Sequence, residues 1–175
     1  MRLFVAALPN EEILRALEKC QEELKIFGVS GRFAPRENLH LTFAFIGEYH
    51  DPEEVTKALF AVKFRPTELH LEGLGRFGDL YWAGIGKNPA LDALAKKIRQ
   101  SLAARNIPFD KKRFSPHITL VRKAFSPAGD AFPSVSLPKG KMTLGTLSLM
   151  RSDRGKHGMI YREIGAVSAI SEGRE

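Results

Sequence analysis

Cysteine is almost absent from the chain, which has one such residue, Cys20, among 175. A single cysteine cannot form an internal disulfide, so the fold must depend on its hydrophobic core. Cys20 follows Ile13 by seven residues on the apolar stripe of a predicted helix, which indicates a buried and unreactive thiol. The longest apolar runs are far too short to cross a membrane, and the N-terminus shows no signal-peptide pattern. We therefore expect a cytoplasmic protein without membrane contact.

Negative charge is also in deficit, because 20 Asp and Glu stand against 27 Lys and Arg, for a formal net charge of +7. Such an excess attracts polyanions without specifying which one. The basic side chains are clustered at residues 111–113, 122–123 and 151–156. A solvated surface is the ordinary explanation for a single Lys or Arg, but clusters around one motif indicate a phosphate-bearing partner.

That motif is a four-residue pattern, His-x-Thr followed by an apolar residue, which occurs at residues 40–43 (the first motif) and 117–120 (the second motif). Both copies lie in alternating apolar surroundings that are typical of half-buried strands. Residues i and i+2 of a strand share a face, so the histidine and threonine of each copy project together while the residues between them point into a core.

The surroundings of the motif repeat as well, which indicates an internal duplication. Asn10 and Asn88 each follow an apolar run and precede a helical pattern, and they are separated by 78 residues, whereas the two motifs are separated by 77. We predict one domain, 1–175, built from two lobes at about 1–78 and 79–165. A pseudo-two-fold arrangement of the lobes would bring the two His-Thr pairs to one cleft.

The element order predicts an α+β fold with two pseudo-symmetric lobes, each a mixed or antiparallel sheet with helices packed outside, around a central cleft. Residues 68–72 alternate as a half-exposed strand, which disfavours a parallel doubly wound sheet. Residues 73–78 fit G-x-G-x-x-G, but a strand pattern follows where a dinucleotide site requires a helix. Helices are predicted between Asn10 and Gly28, from Asp51 to Val62 and from Asn88 onward. Further strands are predicted at 3–8, 80–86, 142–150 and 159–164, the last two joined by a turn at 151–158. The last ten residues are predicted to be frayed.

Two histidines facing one substrate can divide acid and base catalysis between them, since an unperturbed imidazole has a pKa of about 6.5. A neutral ring would take a proton from water while a protonated ring supplies one to the leaving oxygen. Thr42 and Thr119 would donate hydrogen bonds to the oxygens of a charged phosphorus centre. No Asp, Glu or Cys recurs with the histidines, so the pattern gives no support for a zinc site. Two buried structural histidines are the remaining alternative.

The paired motifs about 80 residues apart, together with Arg-Leu-Phe-Val-Ala at residues 2–6, resemble the two-histidine (2H) phosphoesterases. The similarity is greatest to the RNA 2',3'-cyclic phosphodiesterases once called 2'-5' RNA ligases. It extends over nearly the whole chain and includes Phe-Ile-Gly-Glu at residues 45–48, Arg122 and Tyr161. It implies hydrolysis of an RNA 2',3'-cyclic phosphate end to a 2'-phosphate, without metal or cofactor, with tRNA halves among the candidate substrates.

The resemblance also implies roles that the near-symmetric copies cannot distinguish by themselves. His40 would protonate the leaving oxygen and His117 would activate water. Arg122 would bind the phosphate, although strict alternation from His117 puts it on the opposite strand face. Further candidates for substrate binding are Arg113, in the cluster before the second motif, and the rings of Phe33 and Phe114, for which core packing is the alternative. We expect Tyr161 to serve packing, and the protein to be a monomer.

Two other activities stay open for the same groups. Reversible 2'-5' ligation would use the histidines in the opposite direction. A groove that binds RNA ends or nucleotides without turnover would need the same positive charge but no proton transfer.

Overall fold

A computed structural model describes residues 1–170 of the chain, and over these residues an antiparallel sheet is covered by three helices. The elements in chain order are β1 (Arg2–Ala7), α1 (Glu11–Phe27), β2 (Ser30–Phe33), β3 (Leu41–Glu48), α2 (Pro52–Phe60), β4 (Thr67–Phe77), β5 (Leu80–Ile85), α3 (Pro89–Ala104), β6 (His117–Phe125), β7 (Lys141–Leu144), β8 (Thr146–Gly155) and β9 (Gly158–Ser168). Short 3₁₀ turns lie at Arg36–Asn38 and Phe132–Ser134.

The strand order places the two motif strands next to each other in the middle of the sheet. The order is β7-β4-β5-β6-β3-β1-β8-β9, with β2 paired to β6 outside this path. Strands β3 and β6 meet where Leu41 lies opposite Ile118, one residue after each histidine. The predicted α+β class is confirmed, and the strand pairs are antiparallel, so a parallel doubly wound sheet is ruled out. The extent of the two lobes stays a prediction.

The sheet curls because β7 and β8, which are joined by the single residue Gly145, lie near opposite ends of the strand order. β7 pairs with β4, whereas β8 pairs with β1. Gly145 alone can connect β7 to β8 only if the two ends of the sheet approach each other. The sheet is therefore curled into a half-barrel, and the two motif strands lie in the middle of it.

Local signals in the sequence determine where the helices begin and end. The side chain of Asn10 accepts a hydrogen bond from the backbone N–H of Ile13 at 2.9 Å, and Asn88 caps α3 in the same way. Asp51 caps α2, with Pro52 at its first position. Gly28 ends α1 in the left-handed conformation, at a φ of +115°. The predicted helix starts and the end of α1 at Gly28 are confirmed, whereas α2 ends at Phe60, two residues before the predicted end at Val62.

The core lies between the helices and the outer face of the sheet. Helix α1 follows β1 but packs against β6 and β7, and α3 follows β5 but packs against β3. Each of these helices thus supports a motif strand of the other half. Cys20 is only 1% exposed in this core, which confirms its predicted burial, and that burial raises the pKa of its thiol to about 11.

The C-terminal part of the chain differs from the sequence prediction. Residues 142–150 are not one strand, because the chain changes pairing partner at Gly145. The turn predicted at 151–158 is mostly strand, since β8 and β9 pair along their full length to Gly155 opposite Gly158. Residues 166–168 belong to β9 rather than to a frayed end, and residues 171–175 lie outside the described part.

Two further predictions concern a dinucleotide site and membrane-spanning helices. Residues 73–78 form the end of β4 and the turn into β5, so no helix follows the glycine pattern, as predicted. Among residues 1–170, no helix has the length and apolarity needed to cross a membrane.

Candidate active site

The two motif histidines are held by the same backbone contact. The Nδ1 atom of His40 lies 2.7 Å from the carbonyl oxygen of Asn38, and that of His117 lies 2.6 Å from the carbonyl of Ser115. A carbonyl oxygen only accepts, so each Nδ1 carries a proton and donates. Nε2 is therefore the ring nitrogen of each histidine that can exchange a proton with a ligand, because it holds a lone pair when the ring is neutral and a proton when it is charged.

Aromatic rings pack against each histidine. His40 contacts Phe4 of β1 and Tyr161 of β9, with ring centroids 4.8 and 5.3 Å apart. His117 contacts Phe77 and Trp82, with centroids 5.3 and 5.8 Å apart. Phe4 and Trp82 are 78 residues apart, the same spacing as the two helix-capping asparagines. These ring contacts restrict the orientations of both imidazoles.

The surroundings of His40 lower the pKa of its imidazole. Burial of its ring lowers its pKa from the ordinary value, against a smaller opposite effect of the hydrogen bond to Asn38. The positive charges of Arg122 and His117 lower the pKa further. Arg122 and His117 are thus close enough to His40 to act on its charge, as a shared site requires.

A bulge in β6 explains how Arg122 reaches this site. Two consecutive residues of β5 lie opposite Val121 and Thr119, so Leu120 is an extra residue in β6. Leu120 and Val121 are both buried, and the alternation continues one residue out of step. Arg122 therefore shares a face with His117, and the strict alternation assumed from the sequence is wrong here.

The first motif strand has a matching bulge. Consecutive residues of β1 lie opposite Ala44 and Thr42, which makes Phe43 the extra residue of β3. The residue brought to the site face is Phe45, whose ring is 47% exposed and lies 5.9 Å from that of Phe4. Phe45 is thus the counterpart of Arg122, so the two halves present an aromatic ring on one side and a cation on the other.

Gly31 permits the close approach of β2 to the bulged part of β6. Its φ is +145°, and a Cβ at this position would lie 2.8 Å from the carbonyl oxygen of Lys123 and 2.9 Å from that of Arg122. We expect Gly31→Ala to lower the free energy of unfolding by about 1–3 kcal/mol, measured by urea denaturation. Gly129→Ala is the matched control, because Gly129 also has a positive φ, of +102°, but no atom within 4 Å of the added Cβ. Equal losses in both variants would show that the contact with β6 is unimportant.

A groove of about 770 Å³ opens next to the rings that pack on His40, although neither motif histidine lines it. Phe4 and Tyr161, which contact the His40 ring, form part of its wall, as do Phe45 and Arg122. The rings that contact His117 do not. The remaining lining residues are Met1, Arg2, Leu3, Gly47, Glu48, Asp110, Arg151, Ser152, Asp153, Arg154 and Met159.

The other predicted site residues divide into two groups. Thr42 and Thr119 are half-buried on the same strand faces as their histidines. Phe114 stacks on the buried ring of Phe43, and Phe33 packs against the core beneath the Nζ atom of Lys25. Neither ring lines the groove, and neither does Arg113.

Three residues of the groove were not individual site candidates from the sequence, although Arg154 belongs to the basic cluster at residues 151–156. Phe45, Arg2 and Arg154 come from separate strands that only the sheet brings together. Tyr161 packs on Phe4 and His40 as expected, and it also borders the groove. Among residues 1–170, no three His, Cys, Asp or Glu side chains form a group that could hold a metal ion.

Comparison with known proteins agrees with this geometry. The chain matches the model of the 2'-5' RNA ligase superfamily over residues 9–156. An RNA 2',3'-cyclic phosphodiesterase from Methanocaldococcus jannaschii is 32% identical over 132 residues, which cover 71% of this chain and 73% of that protein. One from Aeropyrum pernix is 26% identical over 177 residues, which cover 90% and 97%. The crystal structure of Escherichia coli LigT complexed with 3'-AMP superposes with a TM-score of 0.74 at 25% identity, over 97% of this chain and 98% of that one. The chain belongs to the 2'-5' RNA ligase superfamily, the two-histidine phosphoesterases that its paired motifs resemble.

Proposed function

We propose that the protein hydrolyses the 2',3'-cyclic phosphate at the end of an RNA strand to a 2'-phosphate, by acid–base catalysis between two histidines and without a metal ion. The observation that carries the proposal is the matched pair of Nδ1 contacts, which leaves the Nε2 atoms of His40 and His117 as the reactive atoms on adjacent strands. The names of the relatives from Methanocaldococcus jannaschii and Aeropyrum pernix support the same substrate. RNA fragments with such ends, including tRNA halves, would be substrates.

The proposed step balances with one water molecule. The neutral Nε2 of His117 takes a proton from water as the oxygen bonds to phosphorus, and Nε2–H of His40 gives its proton to O3' as the P–O3' bond breaks. Thr42, Thr119 and the guanidinium of Arg122 would stabilise the negative charge on the non-bridging oxygens. After the step His117 is charged and His40 is neutral, so the two rings must exchange protons with solvent before the next turnover.

The position of the groove supports this assignment of acid and base. In phosphoryl transfer the attacking and leaving oxygens lie roughly in line on opposite sides of phosphorus. O3' belongs to the ribose, so the nucleoside must lie on the side of the histidine that protonates it. The groove opens beside His40, where Phe45 offers an exposed ring for the terminal base. The nucleoside side is therefore the His40 side.

The lowered pKa of His40 would favour a neutral ring in the empty site. A neutral ring can act as a general base, whereas the proposed general acid must carry a proton. Much of the lowering comes from burial and from the charge of Arg122. A bound phosphate places a negative charge between these cations and opposes both effects. Protonation of His40 would thus accompany substrate binding.

One experiment distinguishes hydrolysis from ligation and from binding without turnover. An RNA oligonucleotide with a 2',3'-cyclic phosphate end is incubated with the protein and a rising concentration of a 5'-hydroxyl oligonucleotide, and the products are separated by electrophoresis. We expect the hydrolysed 2'-phosphate end to dominate, because water reaches phosphorus on the His117 side without a second binding site. A joined 2'-5' product in excess would instead identify a ligase, and an unchanged but bound oligonucleotide would identify a non-catalytic RNA-end binder.

A further inference from the structure

The groove beside His40 continues past the residues that the proposed reaction uses. Arg2 lies two residues before Phe4 on β1 and therefore on the same strand face, ~7 Å further along the strand. Arg2 pairs with Glu48 at the end of β3 that is farthest from His40. Following the groove along β1 thus leads away from the reacting phosphate.

A second arginine lies on this face at the far end of the groove. Ser152 of β8 is opposite Arg2, and Arg154 is two residues further along β8, opposite Met159. Arg2, Ser152 and Arg154 therefore line one continuous surface beyond Phe4. It ends at the turn between β8 and β9, which holds the basic Lys156.

The charges on this surface are available to a ligand. Within residues 1–170, Arg2 and Arg154 form no salt bridge, whereas Arg151 is paired with Asp153 at 3.0 Å. One exposed arginine is usually a solvated surface residue. Two unpaired arginines on one concave face, in line with a phosphate-reacting centre, form the charged track that single-stranded nucleic acids bind.

We infer that Arg2 and Arg154 bind the phosphates that precede the cyclic end, so that a strand carrying these phosphates is a better substrate than a free cyclic nucleotide. The inference rests on the proposed function. Because the nucleoside lies on the His40 side of phosphorus, the strand 5' to it must leave the site along the groove that contains these arginines. The His117 side receives only water.

The test compares kcat/KM for substrates of one, two and three nucleotides, each ending in a 2',3'-cyclic phosphate. For the native protein we expect kcat/KM to rise at least about tenfold from the mononucleotide to the trinucleotide, since each charged hydrogen bond to phosphate is a strong one. The double variant R2Q/R154Q should lower the ratio of trinucleotide to mononucleotide by about tenfold. K96Q/K97Q, which removes two positive charges from the exposed side of α3, is the matched control and should leave that ratio unchanged.

Salt dependence gives a second measurement of the same contacts. Each phosphate contact to a single strand contributes about −0.7 to the slope of log affinity against log salt concentration, so R2Q/R154Q should reduce the slope for the trinucleotide by about 1.4. Equal kcat/KM for one and three nucleotides, or an unchanged ratio in the double variant, would overturn this inference alone. A protein that hydrolyses no substrate of the series would overturn the proposed function and this inference with it.

Discussion

Replacement of either motif histidine, in His40→Gln or His117→Gln, is expected to lower kcat by about 10²- to 10⁴-fold while changing substrate affinity less than about tenfold. The reason is that each Nε2 atom transfers a proton in the proposed step, whereas Arg122 and the groove supply most of the binding. Glutamine keeps a polar side chain of similar reach, so the loss reports proton transfer. Steady-state kinetics and the dissociation constant of the 2'-phosphate product measure the two effects separately.

A modified substrate distinguishes the acid from the base. When sulfur replaces the 3'-oxygen, the leaving thiolate needs no proton, so the loss in His40→Gln should largely disappear while the loss in His117→Gln remains. The reverse pattern would exchange the roles of the two histidines. A wild-type rate in either variant with the natural substrate would contradict the two-histidine mechanism altogether.

Arg122→Gln is expected to lower kcat by about 10²- to 10³-fold, the loss typical for one charge-stabilising donor. It should also move the pH profile of kcat/KM, which reports groups of the free enzyme. An acid must be protonated to act, so activity falls as pH rises through the pKa of His40. Burial, Arg122 and His117 lower that pKa, which places this alkaline limb below the ordinary value of about 6.5. Removing the charge of Arg122 should shift the limb to higher pH.

Arg122→Lys is the matched control for this prediction. Lysine keeps the positive charge near His40 but loses the planar pair of donors, so activity should fall while the alkaline limb stays near its native position. An alkaline limb that does not move in Arg122→Gln would show that the charge of Arg122 does not act on His40.

The elements that carry the site could be predicted because their signals are local. Asn10, Asn88 and Gly28 mark helix ends through contacts with residues three or four positions away. The alternation around His40 and His117 predicted two half-buried strands, which the structure confirms as β3 and β6. Their neighbouring positions in the sheet agree with the cleft that the duplication predicted.

The face of Arg122 could not be predicted by strict alternation, because a bulge shifts the pattern. A signal for it was present, since two apolar residues follow each motif threonine in direct succession, Phe43-Ala44 and Leu120-Val121. Two consecutive apolar residues at the same position in both copies fit a β-bulge, in which an extra residue shifts the alternation of the strand. Applied to the first copy, the same reasoning identifies Phe45.

The groove could not be predicted from the sequence, because its residues belong to strands that are distant in the chain. Arg2 and Arg154 are brought together by the pairing of β1 with β8, and that pairing depends on the break at Gly145. A strand pattern through 142–150 contains no signal for a change of partner. The candidates Phe33 and Phe114 illustrate the same limit, since an aromatic residue near a motif can equally fill the core, where the structure places both.

The most direct test of the central claim is to incubate the EDTA-treated protein with an oligoribonucleotide that ends in a 2',3'-cyclic phosphate and to identify the end that forms. Two-histidine catalysis with His40 as the acid predicts a terminal 2'-phosphate at a rate that added metal ions do not change. A reaction that requires metal, or one that yields a 3'-phosphate, would contradict this account.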